Sequence, residues 1–463
     1  MVERRRKPGD EVEASVSALD DLGVGVAEVR EAPESLRLHV AGALPGENIV
    51  ARLDHLSVHV HGARREAWAT LLSVRTTSTD RVHPVCSAHG ACGGCTLGVL
   101  AYPAQIAWKR QRVVAALRQV QAASGVDVDA CVPSPVPVGY RNQAKYVYGG
   151  ADAKGAPILG AFAPRSHRLV DLASCSVVEP ILEQVRRTLL DVLVSLKVTP
   201  FDEQRRTGDL RYALMRATES GRVMVTLVAA RPDWHAANRV CEALVAASPD
   251  VVSVILNVNA TTGNRLFGDE ERTLFGTASI DDSIGDVVVR LSSRSFFQVN
   301  RRMAGRIYRD IGAAVPGTVM RAVDVYAGAA PIALSLAPVA NEVLAIEENP
   351  AATAAAAAFI AERPHLPGRV RMVTGDAALR LVEIESADLV VLNPPRKGCA
   401  REVLAAVARL RPRMIAYLSC DPATLARDLA LLLDGGARLT RVTPYDMMPH
   451  TPHVETLALL TMG

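Results

Sequence analysis

From about residue 293 onward, short apolar runs alternate with amphipathic or Ala-rich stretches, and this alternation restricts the fold more than any other feature of the sequence. Strands are predicted at 320–326, 343–347, 387–393, 414–420 and 453–461, and a helix over the Ala-rich run 351–361. Strands separated by helices pack best as a doubly wound, mostly parallel sheet with helices on both faces. In such a sheet ligands gather outside the carboxyl ends of the strands. The residues that follow each run are therefore the ones to read for chemistry.

The first run leads into Asp324-Val325-Tyr326-Ala327-Gly328-Ala329-Ala330-Pro331, a loop between a strand and a helix that suits a cofactor. Glu347 ends the next strand and is placed to hydrogen-bond a ribose, and Asp376 could line an adenine. The loop suits S-adenosylmethionine at least as well as a dinucleotide, because a sulfonium needs no phosphate cradle. Asn393-Pro394-Pro395-Arg396-Lys397-Gly398 makes a stiff lip that can present a side chain and a carbonyl to a flat base. Cys420 ends another strand, and Asp421-Pro422 behind it reads as a helix start. Glu455 lies in His453-Val454-Glu455-Thr456. A sulfur nucleophile and a carboxylate base are what methylation of an unreactive pyrimidine carbon requires. The helix start is expected to lower the thiol pKa. The plainer alternatives are a packed cysteine, acids that cap helices, and a Pro-stiffened loop.

The rest of the 463-residue chain is less explicit. A net charge of +3 does not by itself argue for nucleic acid, so local basic clusters must carry that case. No apolar run is long enough to cross a membrane. The charged N-terminus lacks a signal-peptide pattern, so a cytoplasmic protein is expected. Residues 9–76 alternate Val-rich runs with Gly turns and read as a small all-β barrel. A basic helical stretch follows at 104–118. Residues 132–290 mix strands and helices, with Arg141, Lys145, Arg165, Arg168, Arg205, Arg206 and Arg211 in the loops. Three domains are expected: 1–76, a barrel; 77–290, an α+β domain; and 291–463, the doubly wound domain, on which the helix near 104–120 is expected to pack. Cys86, Cys92 and Cys95 are spaced Cys-x5-Cys-x2-Cys around Gly93-Gly94, with Cys175 as the candidate fourth ligand. Four thiolates suit zinc or an iron–sulfur cluster, and the spacing does not separate the two. Cys131, Cys241 and Cys399 read as packing residues.

Over nearly its whole length the chain resembles the uracil-5 RNA methyltransferases, the 5-methyluridine enzymes of 23S rRNA and tRNA. The segments that carry the likeness are Ser295-Phe296-Phe297-Gln298-Val299-Asn300, Tyr140-Arg141-Asn142-Gln143-Ala144-Lys145, Ser419-Cys420-Asp421-Pro422, and His453-Val454-Glu455-Thr456. The resemblance implies a Rossmann-like methyltransferase domain behind an OB-like TRAM barrel that grips RNA. It implies Cys420 as nucleophile and Glu455 as base. It implies S-adenosyl-L-methionine held by Gln298, Tyr326, Gly328, Glu347, Asp376 and Asn393, and it favours a 4Fe-4S cluster over zinc at Cys86, Cys92, Cys95 and Cys175. The expected partner is RNA, rRNA ahead of tRNA, and the expected state is a monomer. The chain departs from the family pattern at Ala327, Ala330 and Asn393, where the family has Cys, Gly and Asp, and Pro331 follows Ala330. The Ala methyl and the Pro ring are expected to narrow the cofactor pocket. Two other readings remain: an RNA-binding protein that has lost methyl transfer, and an enzyme acting on a non-RNA pyrimidine.

Overall fold

The computed structural model describes residues 6–462 apart from 31–34, 62–63, 124, 153–154, 165, 173, 262, 264 and 364–368; Arg165 lies outside the described residues. The chain forms two compact units. The first holds Met1–Trp108, Ala163–Ser166 and Pro449–Pro452; the second holds the remainder.

In the first unit, β1 (Glu11–Leu19), β2 (Gly25–Arg30), β3 (Ser35–Val40), β4 (Asn48–His61) and β5 (Arg64–Thr76) close into a barrel of order β1-β2-β3-β5-β4. Closure comes from the antiparallel pairing of β1 with β4. The alternation read in the sequence points inward as Leu36, Leu38 and Val40, which meet Val12, Val16, Ile49 and Leu53 in the barrel core. Gly25 is required there, since a Cβ would stand 2.6 Å from the Ala43 carbonyl oxygen. Arg81 ties the chain beyond the barrel to the buried Glu47 through Nε–Oε1 (2.5 Å) and Nη2–Oε2 (2.8 Å) contacts.

The second unit takes in the helix α1 (Tyr102–Leu117) from Lys109 onward. Its first sheet is built from β6 (Gln143–Gly149), β7 (Ile158–Phe162), β8 (Leu169–Asp171), β9 (Leu210–Ala217), β10 (Val223–Ala229), β11 (Val251–Val258) and β12 (Glu270–Gly276), in the order β12-β11-β10-β9-β6-β7-β8. Two helices accompany it, α2 (Pro180–Ser195) and α3 (Ala237–Ala247), and a hairpin follows, β13 (Ser279–Ile284) with β14 (Val287–Ser292).

The second sheet positions the candidate site residues. Its elements are α4 (Arg301–Ala314), β15 (Val319–Val325), α5 (Pro331–Leu336), β16 (Ala340–Glu347), α6 (Pro350–Ala361), β17 (Val370–Thr374), α7 (Ala377–Val382), β18 (Leu389–Leu392), α8 (Arg401–Leu410), β19 (Met414–Ser419), α9 (Pro422–Asp434), β20 (Ala437–Tyr445) and β21 (Glu455–Met462). The strand order is β17-β16-β15-β18-β19-β21-β20. β15 to β19 run parallel, and β21 is antiparallel to both β19 and β20. Every residue of β18 and β19 is buried, as expected of strands covered on both faces. One face packs α8 and α9 together with Val113 and Leu117 of α1. The other packs α4 and α5, through Met303, Ile307, Ile332 and Leu334. Two strands, β17 and β20, lie outside the runs read from the sequence. β17 is an edge strand with only Val370 buried, and β20 is interrupted by a bulge between Leu439 and Arg441.

Lys109 and Asp446 are both fully buried and form an ion pair, and Lys109 Nζ also donates to the Met448 carbonyl at 3.0 Å. Burial lowers the Lys109 pKa against the pull of Asp446. A buried pair of this kind adds little net stability, but removing one partner strands the other charge. Lys109→Met should therefore lower the unfolding free energy by about 3–5 kcal/mol in urea titrations. Lys109→Met with Asp446→Leu should recover most of that loss.

Candidate active site

The site is built at the carboxyl ends of the parallel strands. Tyr326 follows β15, Glu347 ends β16, Asp376 lies two residues beyond β17, Asn393 follows β18 and Cys420 follows β19. Glu455 opens the antiparallel β21, and its partner on β20 is Tyr445. On the other side, Ser419 pairs with Thr456. Extending that register by one residue sets Cys420 opposite Glu455, a position at which Cβ atoms stand about 5 Å apart. The two residues are 35 positions apart in the chain, and the sheet brings them together.

The electrostatics of the pair differ from the sequence expectation. Asp421 does cap α9, accepting from the Thr424 amide at 2.8 Å, and Pro422 fills the first helical position. The thiol pKa is nevertheless raised, to about 11. Burial is the main cause and the Glu455 carboxylate adds to it, while Arg396 opposes them only in part. Glu455 is pushed up to about 8 by burial. The expected lowering by the helix start is thus outweighed by the loss of solvent.

The lip 393–398 is held from below. Gly398 donates to the Pro395 carbonyl at 2.8 Å, and Arg427 Nη2 donates to the Lys397 carbonyl at 2.9 Å. Gly398 has φ +76, and a Cβ there would stand 2.3 Å from Thr424 Cγ2, so the turn requires glycine. The buried Asp428 of α9 accepts from the Cys399 amide (2.8 Å) and from the Tyr417 hydroxyl (2.5 Å). Arg396 leaves the lip and places Nη2 3.3 Å from Nε2 of His453. These two residues are 57 positions apart, and no spacing in the sequence signalled their contact.

The residues expected to hold a cofactor form a second group. Gly328 N donates to Glu347 Oε2 at 2.9 Å, and Asn349 N donates to Oε1 at 2.9 Å, so the carboxylate is fixed by two backbone amides. Asp376 caps α7 through the Leu379 amide (3.1 Å) and acts electrostatically on Tyr326, which bonds Cys399. Gln298 is buried, and its carbonyl accepts from Asn142 Nδ2 at 2.9 Å. Asp324, which the sequence reading left without a role, is fully buried with Oδ2 on the Ala333 amide (3.0 Å) and Oδ1 unpartnered. Burial raises its pKa to about 7. The Ala327 and Ala330 methyl groups are buried in the core with Ile332 and Leu334. Ala330 sits at φ +60, a left-handed conformation that glycine adopts freely and that costs an L-residue about 1–2 kcal/mol.

The cysteine reading is not assembled. Cys86, Cys92, Cys95 and Cys175 are half-buried, whereas Cys131, Cys241 and Cys399 are buried. Among the described residues no group of three or more His, Cys, Asp or Glu side chains is set to hold a metal ion. Cys86, Cys92 and Cys95 belong to the first unit and Cys175 to the second. The loop does turn back on itself, with His89 N donating to the Cys86 carbonyl (3.1 Å) and Cys92 N to that of Ala88 (2.9 Å). Among the described residues no helix is long and apolar enough to cross a membrane.

The family model of the tRNA (uracil-5-)-methyltransferases matches residues 217–462. An uncharacterised RNA methyltransferase of Geobacter sulfurreducens is 36% identical, with 98% of this chain and 90% of that protein covered. The chain belongs to the tRNA (uracil-5-)-methyltransferase family. A second RNA methyltransferase, from Halalkalibacterium halodurans, is 32% identical over 98% of this chain and 97% of its own length. Among solved structures, the tRNA (uracil-54, C5)-methyltransferase of Pyrococcus abyssi, in complex with S-adenosyl-L-homocysteine, has 25% identity and a TM-score of 0.77. The match covers 97% of this chain and 100% of that one. The chain is therefore an RNA methyltransferase of this family.

With its pKa near 11, the Cys420 thiol should be alkylated slowly by iodoacetamide at neutral pH. The rate should climb until the pH passes about 11. Glu455→Gln removes the adjacent negative charge and should move that rise to lower pH, read by mass spectrometry of the Cys420 peptide.

Proposed function

We propose that the protein methylates carbon 5 of a uridine in RNA, with S-adenosylmethionine as donor, Cys420 as nucleophile and Glu455 as base. The observation that carries this reading is the register of β19 and β21, which sets a thiol opposite a carboxyl group in a buried site. The donor fits the second group of residues: Glu347 is held by two amides with lone pairs left for ribose hydroxyls, and Gln298 and Asn393 are the amides of the site. The solved relative holds S-adenosyl-L-homocysteine, the demethylated donor.

Carbon 5 of uracil is a poor nucleophile, so the reaction begins elsewhere. The Cys420 thiolate adds to carbon 6, and the electron pair moves onto the carbon-5/carbonyl system. Carbon 5 then takes the methyl group from the sulfonium, which leaves as a neutral thioether. The Glu455 carboxylate removes the carbon-5 proton, the carbon–sulfur bond to Cys420 breaks, and the thiolate is restored. A uridine in a stem must first be flipped out, so folded RNA with exposed loop bases is the natural substrate. The barrel of the first unit is read as the RNA-gripping TRAM domain. We also propose an iron–sulfur centre on the loop of Cys86, Cys92 and Cys95. It is supported by the resemblance and by the exposure that sets these thiols apart from the buried ones.

The test is anaerobically purified protein with labelled S-adenosylmethionine and unmodified 23S rRNA or tRNA, followed by nucleoside chromatography. 5-Methyluridine should form with the wild type, Cys420→Ala should abolish it, and Glu455→Gln should accumulate a protein–RNA adduct that survives denaturing electrophoresis. Product from Cys420→Ala would overturn the covalent route. The same preparation should contain iron and acid-labile sulfide, both lost in Cys92→Ser.

A further inference from the structure

Asp428 stands in the middle of α9 with no solvent exposure. Aspartate is a poor helix former, and a buried carboxylate is costly unless its oxygens are bonded. Both oxygens are. Oδ2 accepts from the Cys399 amide (2.8 Å) and the Tyr417 hydroxyl (2.5 Å). Oδ1 accepts from Arg427 Nε (2.7 Å) and Nη2 (2.6 Å). The left-handed turn at Gly398 leaves the buried Cys399 amide outside any helix or strand, and Asp428 satisfies it. Two neighbours on the same helix complete the contact. Thr424 Oγ1 donates to the Arg396 carbonyl (3.1 Å), and Arg427 Nη2 donates to the Lys397 carbonyl (2.9 Å). Thr424, Arg427 and Asp428 stand at i, i+3 and i+4, so a single face of α9 grips the lip.

The same helix begins two residues after Cys420, and Tyr417 lies three residues before it on β19. Asp428 thus fastens the lip to the strand and the helix that flank the thiol. From the lip, Arg396 reaches His453 at 3.3 Å, two residues before Glu455. The lip therefore spans from the helix that follows the thiol to the segment that leads to the carboxyl group. We propose that this face of α9, with Asp428 as its anchor and Thr424 beside it, is a positioning device that holds the lip, and with it Asn393 and Arg396, in place next to Cys420 and Glu455. The proposal rests on the RNA-methylating reading and adds positioning residues to that site. Two prolines stiffen the lip, so anchoring at 396–399 carries through to Asn393. Misplacing such a group by about 1 Å can cost about a hundredfold in rate. An acid that served only to fill the core would be replaceable without effect on the thiol.

The test is a double-substitution cycle on Cys420 reactivity, read across pH as iodoacetamide alkylation of the Cys420 peptide by mass spectrometry. Burial and the Glu455 carboxylate raise the thiol pKa, and Arg396 draws it down. Arg396→Ala should therefore slow alkylation about threefold at about pH 9. Asp428→Ala should slow it by a similar factor, because the unfastened lip carries Arg396 away. Asp428→Ala combined with Arg396→Ala should be no slower than Arg396→Ala alone, the mark of residues that act through one another. Thr424→Val removes only the bond to the Arg396 carbonyl and carries the same cycle should Asp428→Ala not fold, with circular dichroism reporting the fold. An unchanged profile in Arg396→Ala, or in both Asp428→Ala and Thr424→Val, would overturn the proposal, as would slowing that adds to that of Arg396→Ala. Alkylation needs neither RNA nor turnover. A wild type with the expected profiles that forms no 5-methyluridine would sink the proposed reaction and leave the anchor standing. In the methylation assay, Asp428→Ala should lower kcat about a hundredfold with little change in the KM for S-adenosylmethionine. Folded Asp428→Ala that methylates at the wild-type kcat would sink the anchor alone.

Discussion

The arrangement depends on one strand running against its neighbours. β15 to β19 are parallel, and a parallel sheet by itself puts only carboxyl ends at the ligand face. β21 enters antiparallel between β19 and β20 and brings its amino end to that same face. Without it, the residue after Ser419 would face the loops that follow β15, β16 and β18 alone. With it, a second strand end delivers Glu455 opposite Cys420, and the lip, His453 and Arg396 are arranged around that meeting point. A register slip of one residue would turn Glu455 to the other face of the sheet.

The environment of the pair follows from the same insertion. Central strands covered on both faces exclude water, and exclusion of water favours neutral forms. Cys420 and Glu455 are both shifted upward for this reason, although a helix begins immediately after the cysteine. A helix terminus contributes only partial charge, and here burial and a neighbouring carboxylate exceed it. The free site is thus close to neutral within, with cationic groups beside it.

The sequence was legible where burial is complete and opaque where it is partial. The runs at 343–347, 387–393 and 414–420 are continuous apolar segments and correspond to β16, β18 and β19. β17 buries one residue of five, and a strand so exposed leaves no periodic mark. Cys420 and Glu455 could be named from local motifs, but their meeting is a matter of strand order. The contact of Arg396 with His453 was invisible for the same reason. Ala330 could be seen as a departure, but its left-handed torsion at φ +60 and its burial in the core could not.

The spatial order of the sheet also bears on how the protein is made. Among the described residues β20 pairs within the sheet with β21, and bridges on its other side to the stretch 128–132 at Val442 and Tyr445, while β21 lies between two strands that are both synthesised before it. While the chain emerges from the ribosome, β19 presents an open edge and β20 can bridge only to the earlier stretch 128–132. The sheet can close only when residues 455–462 arrive and slot into the gap. Cys420 is in place well before Glu455, so the emerging chain carries a half-built candidate site with an unpaired strand edge. Folding of this domain is therefore coupled to the last strand in the order, and the same event that seals the sheet completes the site.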